Sequence, residues 1–102
     1  MNEEEIQEII DEHMVVVFGK GEKDMPRCGF TANMQDIFDE VYPEYYMVDV
    51  LGDPELQECM RKKSNWPTFP QIYIKGEFMG GGDIITEMYE TGELQEMLKE
   101  EE

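Results

Sequence analysis

The chain has 102 residues, 40% of them hydrophobic, and 25 acidic side chains against eight basic ones leave a net charge of −17 at pH 7. That length holds one modest core without a disulfide or metal staple, so one domain over residues 1–102 is expected. The charge argues against nucleic acid or an anionic membrane as partner, because little basic surface is left to meet phosphate. No apolar run approaches the roughly 20 residues of a membrane-spanning helix.

The first five residues, Met1-Asn2-Glu3-Glu4-Glu5, have neither the basic start of a secretory signal nor the arginines of a transit peptide. Two cysteines, Cys28 and Cys59, make no disulfide framework. A reducing compartment is expected: the cytoplasm, or an organelle matrix if a presequence has been removed. Six of the eight cations fall in two stretches, Lys20, Lys23 and Arg27, then Arg61, Lys62 and Lys63. If those stretches meet, they form a local positive site for a small anion on an acidic body.

In chain order, Ile6, Ile9, Ile10 and His13 recur at helical spacing among acids, predicting an amphipathic helix over 3–13 that His13 closes. A single histidine rules out a histidine-rich metal site. Met14–Phe18 is a short apolar run without alternation, the pattern of a strand buried on both faces. A loop follows, then a helix from Cys28 whose inner face is expected to carry Phe30, Met34, Ile37, Phe38 and Val41 and which stops before Pro43. Tyr45–Val50 is the next strand. Asp53-Pro54 is a cap followed by proline in the first turn, opening a helix to about Lys63 with Leu56, Cys59 and Met60 inward. Gln71–Ile74 and Glu77–Met79, joined by Lys75-Gly76, form a hairpin. Asp83 is expected to cap a helix through Ile84, Ile85, Met88 and Tyr89, which Gly92 interrupts before a short tail helix. The first half is a βαβ unit with a right-handed crossover. The fold class is therefore α/β: a four-stranded mixed sheet with helices on both faces.

The chemistry centres on Cys28. A cysteine is by default a buried, inert hydrophobe, but a Pro-Arg-Cys-Gly turn opening a helix is a poor place to bury one. A helix start aims free N–H groups and the positive end of the dipole at the sulfur. Thiolate, the form that attacks sulfur and binds metal, is stabilised there. Lys20, Lys23 and Arg27 are expected to add positive charge. Cys59 reads as core.

Four stretches resemble the monothiol glutaredoxins, a branch of the thioredoxin fold, in order and spacing: Lys20-Gly21, Pro26-Arg27-Cys28-Gly29-Phe30-Thr31, Trp66-Pro67-Thr68-Phe69-Pro70-Gln71 and Gly80-Gly81-Gly82-Asp83. The resemblance runs from about residue 3 to 98. A dithiol enzyme resolves its mixed disulfide with a second thiol three positions on; here that position is Thr31, where the family usually has serine. The resemblance implies a cis bond before Pro70 and a glutathione site. Lys20 and Arg61 would meet the glycine carboxylate, and the backbone of Thr68-Phe69 would pair with the peptide. The Gly82 and Asp83 N–H groups would hold the γ-glutamyl carboxylate, with Asp83 accepting from the ammonium. Gln57 stands where the family often has arginine.

The resemblance further implies a [2Fe–2S] cluster between two protomers, each giving Cys28, with two glutathione thiolates completing the ligands. The expected function is transfer of that cluster to apo iron–sulfur proteins, or iron sensing. The alternative is glutathione-dependent reduction of protein–glutathione mixed disulfides by Cys28 alone.

Overall fold

The computed structural model describes residues 1–99. Its frame is a four-stranded sheet in the order β4-β1-β5-β6. β1 (Val15–Gly19) runs parallel to β4 (Tyr46–Asp49) and antiparallel to β5 (Gln71–Ile74), which pairs antiparallel with β6 (Glu77–Gly80). Every residue of β1 is buried, because the strand has a covered sheet face on each side. Val15 and Val17 pack into one core with Ile72, Ile74, Met34, Phe38, Ile85 and Leu94. Val16 and Phe18 pack into the other with Tyr73, Ile6, Ile10, Leu56 and Met60. The unbroken apolar run is thus two alternating sets.

The first core is roofed by α2 (Gly29–Val41), α4 (Gly82–Thr91) and α5 (Glu93–Lys99), the second by α1 (Glu3–Glu12) and α3 (Pro54–Ser64). The local signals explain the element ends. Asn2 and Glu5 form a reciprocal capping box at α1. His13 ends α1, its N–H donating to Ile9 O and its ring stacked 4.2 Å from Tyr46. Asp53 caps α3 with Pro54 in the first turn. Lys75 and Gly76, both at positive φ (54° and 82°), turn the β5–β6 hairpin. Among the described residues no helix is long and apolar enough to cross a membrane.

Four expectations change. Phe30 is 70% exposed rather than inward: the buried stripe of α2 runs through Thr31, Met34, Gln35, Ile37 and Phe38, which turns Phe30 outward. Asp83 is no cap. Gly81 is the N-cap, without a side-chain bond, and Asp83 lies inside the first turn. The chain enters this helix against the Trp66 indole, where a Cβ on Gly81 would sit 3.1 Å from Nε1, and α4 begins two residues earlier than an Asp83 cap would place it. Cys59 is only partly buried, at the edge of the second core. Finally, the loop before Cys28 is itself structured, as an antiparallel ribbon of β2 (Gly21–Glu22) and β3 (Met25–Pro26).

Candidate functional site

Cys28 is the N-cap of α2, partly exposed, with its sulfur 3.4 Å from the Thr31 N–H. Its sulfur also shares a hydrogen bond with Thr31 Oγ1 at 3.3 Å. Once the thiol ionises, only the threonine O–H can donate in that bond. Oγ1 meanwhile accepts from the Lys20 N–H at 3.0 Å, which holds the hydroxyl between strand end and sulfur. Thr31 is fully buried, and it fits because Gly19 has no side chain. A Cβ there would lie 3.0 Å from Oγ1 and 3.1 Å from the threonine methyl.

Burial alone would raise the Cys28 pKa, but the Thr31 hydroxyl, the Thr31 and Phe30 N–H groups and the Lys20 charge outweigh it, and the net shift is downward. The thiolate of Cys28, the form that attacks sulfur and binds metal, is therefore favoured here more than in an ordinary buried cysteine. Of the three cations expected beside it, Lys20 is among the groups acting on the sulfur. Lys23 turns away. Its Nζ donates to Pro43 O and Tyr45 O, both at 2.7 Å, and sits 4.0 Å over the Tyr45 ring.

The loop carrying Lys20 is tied down from several sides. Asp49 Oδ1 accepts from the Gly21 and Leu51 N–H groups, each at 2.9 Å. The buried Gln35 side chain accepts from the Asp24 N–H and donates to Glu22 O, both at 3.0 Å. Gly21 needs its φ of +106°, where a Cβ would run into Met25 O and the Arg27 N–H.

Beside the thiol lies a groove of about 640 Å³. Lys20, Gln57, Arg61, Thr68, Phe69, Pro70, Gly82 and Asp83, widely separated in sequence, all line it, with Phe30, Trp66 and Pro67. Cys28 and Thr31 are not among the lining residues. The two cationic stretches meet here by one member each, Lys20 and Arg61. Lys62 instead lies 3.9 Å from Glu58, and Lys63 donates to Gln7 at 2.6 Å. Arg61 is oriented by three neighbours: Nε donates to Pro67 O at 3.0 Å, Nη2 to Gln57 Oε1 at 3.4 Å, and the guanidinium lies 5.5 Å from the Phe69 ring centroid. Gln57 is itself fixed, donating to Val50 O at 2.7 Å.

The Phe69–Pro70 bond is cis. Gln71, fully buried, donates to Trp66 O and Thr68 O and so shapes the groove floor. The Gly82 and Asp83 N–H groups, also at the groove, stand in the first turn of α4, without intrahelical acceptors. Leu51, Gly81 and Ile84 also line the groove. Gly81 belongs to the Gly80-Gly81-Gly82-Asp83 stretch already singled out; sequence reasoning missed Leu51 and Ile84 because an apolar residue in a turn or a first-turn isoleucine announces no site. A groove lined by both cations and free helix-start amides, beside an activated thiol, suits an anionic peptide.

A family model described as glutaredoxin matches residues 15–79. A probable monothiol glutaredoxin of Rickettsia typhi is 48% identical over 94% of this chain and 86% of its own length. Two solution structures are close in fold. Reduced apo GrxS14 of poplar has a TM-score of 0.84 at 40% identity, over 95% of this chain and 89% of that one. A monomeric truncated mutant of Trypanosoma brucei 1-C-Grx1 has a TM-score of 0.89 at 39% identity, over 99% of this chain and 92% of that one. With Cys28 at the helix start and threonine at the resolving position, the chain belongs to the glutaredoxin family, as a monothiol glutaredoxin.

Proposed function

We propose that this monothiol glutaredoxin binds glutathione in the groove beside Cys28 and, as a dimer, carries a labile [2Fe–2S] cluster to apo iron–sulfur proteins or reports iron supply with it. The observation that carries the reading is a thiolate-stabilised cysteine without a partner thiol in its motif, next to a groove lined by Lys20, Arg61 and the first residues of α4. Lys20 and Arg61 take the glycine carboxylate, and Gln57 holds the guanidinium in place. The backbone of Phe69 pairs with the peptide, Thr68 and Pro70 flank it, and Gly82 and Asp83 take the γ-glutamyl end.

The donor set fits the cargo in one stoichiometry. No three of His, Cys, Asp or Glu gather as a metal site among the described residues, and Cys59 packs at the edge of the second core, so Cys28 is the thiolate each chain offers iron. Iron in such a cluster prefers four thiolates, which two chains and two glutathiones supply. Because half of those sulfurs belong to a dissociable small molecule, a recipient's cysteines can displace them, as a carrier requires. A reducing compartment, the cytoplasm, keeps these thiols available.

The test is anaerobic reconstitution with iron, sulfide and glutathione, read by visible absorption and size-exclusion chromatography. Colour should travel with a dimer and vanish in Cys28→Ser. A colourless monomer contradicts the carrier reading.

The lowered Cys28 pKa supports a second reading, thiol exchange. The Cys28 thiolate attacks the glutathione sulfur of a protein–glutathione disulfide. That S–S bond breaks, a Cys28–glutathione disulfide forms, and the electron pair leaves with the protein thiolate, which takes a proton from water. A second glutathione then releases Cys28, leaving oxidised glutathione.

A further inference from the structure

We propose that Cys59 is a second thiol site, which takes a small zwitterionic thiol of the glutathione class as a mixed disulfide in the cleft between α1 and α3. That cleft holds about 460 Å³, within the roughly 300–1,000 Å³ of small-ligand sites. Cys59 and Ile6 form part of its wall. Both pack with the second core, on the sheet face opposite α2 and Cys28. A half-buried cysteine alone is an ordinary packing residue; Tyr73 sets this one apart. On β5, Tyr73 is 4% exposed and belongs to the same core, its ring 5.7 Å from that of Phe18 and 5.4 Å from that of Phe78. Its hydroxyl is buried with no hydrogen-bond partner, where a buried tyrosine ordinarily finds one. Burial first, and then the charge of the nearby Cys59, push this phenol up to about 12. The hydroxyl therefore stays protonated at neutral pH, a donor that lacks an acceptor within electrostatic reach of a thiol. A peptide carbonyl carried on the Cys59 sulfur would supply that acceptor.

The charged groups of the cleft match such a ligand in kind. Glutathione carries carboxylates at both ends and one ammonium. Lys62 and Lys63, in the last turn of α3, line the cleft on one side chain set, and Glu3 and Glu4, in the first turn of α1, on the other. Lys63 reaches across to Gln7 at 2.6 Å, which keeps its ammonium over the opening. Lys62 lies 3.9 Å from Glu58, an ion pair exposed enough to exchange readily for a ligand carboxylate.

The oxidant is glutathione disulfide. The Cys59 thiol gives up its proton, and its thiolate attacks one sulfur of that disulfide. The S–S bond breaks, a Cys59–glutathione disulfide forms, and the electron pair leaves with the second glutathione, which takes up the proton. The cleft acts by retaining the adduct, so its effect is read as an equilibrium. The experiment uses the full chain carrying Cys28→Ser, in which Cys59 is the one remaining thiol, so the outcome is independent of both readings of Cys28. Buffers of reduced and oxidised glutathione set the mixed-disulfide equilibrium, read by intact mass for the folded chain and for the same chain in urea. Cystamine, a disulfide with two ammoniums and neither carboxylate nor carbonyl, is the comparison ligand. On a body of net charge −17 general attraction favours cystamine, so a preference for glutathione reports the cleft itself.

The folded chain should hold the glutathione adduct at least about tenfold more strongly than the unfolded chain, with no such gain for cystamine. Tyr73→Phe keeps the ring and removes the unpartnered hydroxyl. It should lower the folded-state constant about two- to tenfold, the loss of one hydrogen bond, while the Tm of the unmodified chain holds or rises. Lys62→Gln with Lys63→Gln, both on the surface, should lower the constant by a similar factor. Equal constants in the folded chain and in urea overturn the proposal. So does a folded-state gain that cystamine shares, or one that Tyr73→Phe leaves intact.

Discussion

Thr31→Val removes one hydroxyl from beside the sulfur and keeps the shape of the side chain. In the native chain that hydroxyl lies 3.3 Å from Sγ and accepts from the Lys20 N–H at 3.0 Å. A hydrogen bond to a charged group contributes about 1.5–3 kcal/mol. Cys28 is partly exposed, so water replaces some of the loss and the lower end applies. The thiolate-to-thiol ratio at a given pH should therefore fall about tenfold. The remaining thiolate becomes intrinsically more nucleophilic, with a Brønsted slope of about 0.4–0.5, so the rate near neutral pH should fall only about threefold. The assay is the pH dependence of Cys28 alkylation by iodoacetamide, with alkylation of Cys59 resolved by mass spectrometry. Thr31→Val should move the midpoint upward and raise the alkaline plateau; Thr31→Ser should do neither. The valine also strands the Lys20 N–H, at a cost of about 1–2 kcal/mol that a lowered Tm should show. An unmoved midpoint in a folded Thr31→Val chain would refute the role of the hydroxyl.

Further consequences can be checked alongside. Lys23→Ala should cost about 1 kcal/mol, read by urea unfolding, because Nζ loses two backbone acceptors; the Cys28 midpoint should stay where it is. Lys20→Ala should instead raise that midpoint and weaken glutathione binding by calorimetry. Gly21→Ala forces a Cβ into Met25 O and the Arg27 N–H at a φ of +106°, so unfolding should become easier by about 2 kcal/mol or more. The folded chain holds the Cys28 pKa below the ordinary 9.0. Its stabilising contribution is therefore complete above pH 9 and is lost as pH falls through the folded pKa. The stability of wild type relative to Cys28→Ala should accordingly rise with pH through that window and be flat below it.

What the sequence made legible depended on how local the cause was. Buried β1, the Asp53-Pro54 start of α3 and the Lys75-Gly76 turn each follow from a few adjacent residues, and each is found as expected. The β2–β3 ribbon escaped because two-residue strands fall below any periodicity; its hold comes from Gln35 and Asp49, 13 and 28 residues away from their partners at Glu22 and Gly21. Phe30 was misplaced because Met34 and Ile37 fit its stripe as well as that of Thr31, and only packing decides between them. Lys23 sits as close to Cys28 in sequence as charge arguments require, yet the carbonyls of Pro43 and Tyr45 capture it. The groove residues could be named together only through the family resemblance. No spacing rule joins Lys20 to Arg61 or to Asp83, and it is the sheet order that brings them to one end.

Under the proposed function, Cys28 shares its ligand work with glutathione, one of each per chain. The most direct test of that sharing is the glutathione content of the reconstituted, desalted dimer, measured with iron after acid release. Two glutathiones and two irons per dimer, both lost in Cys28→Ser, are predicted. A cluster that forms and persists with no glutathione bound would contradict it.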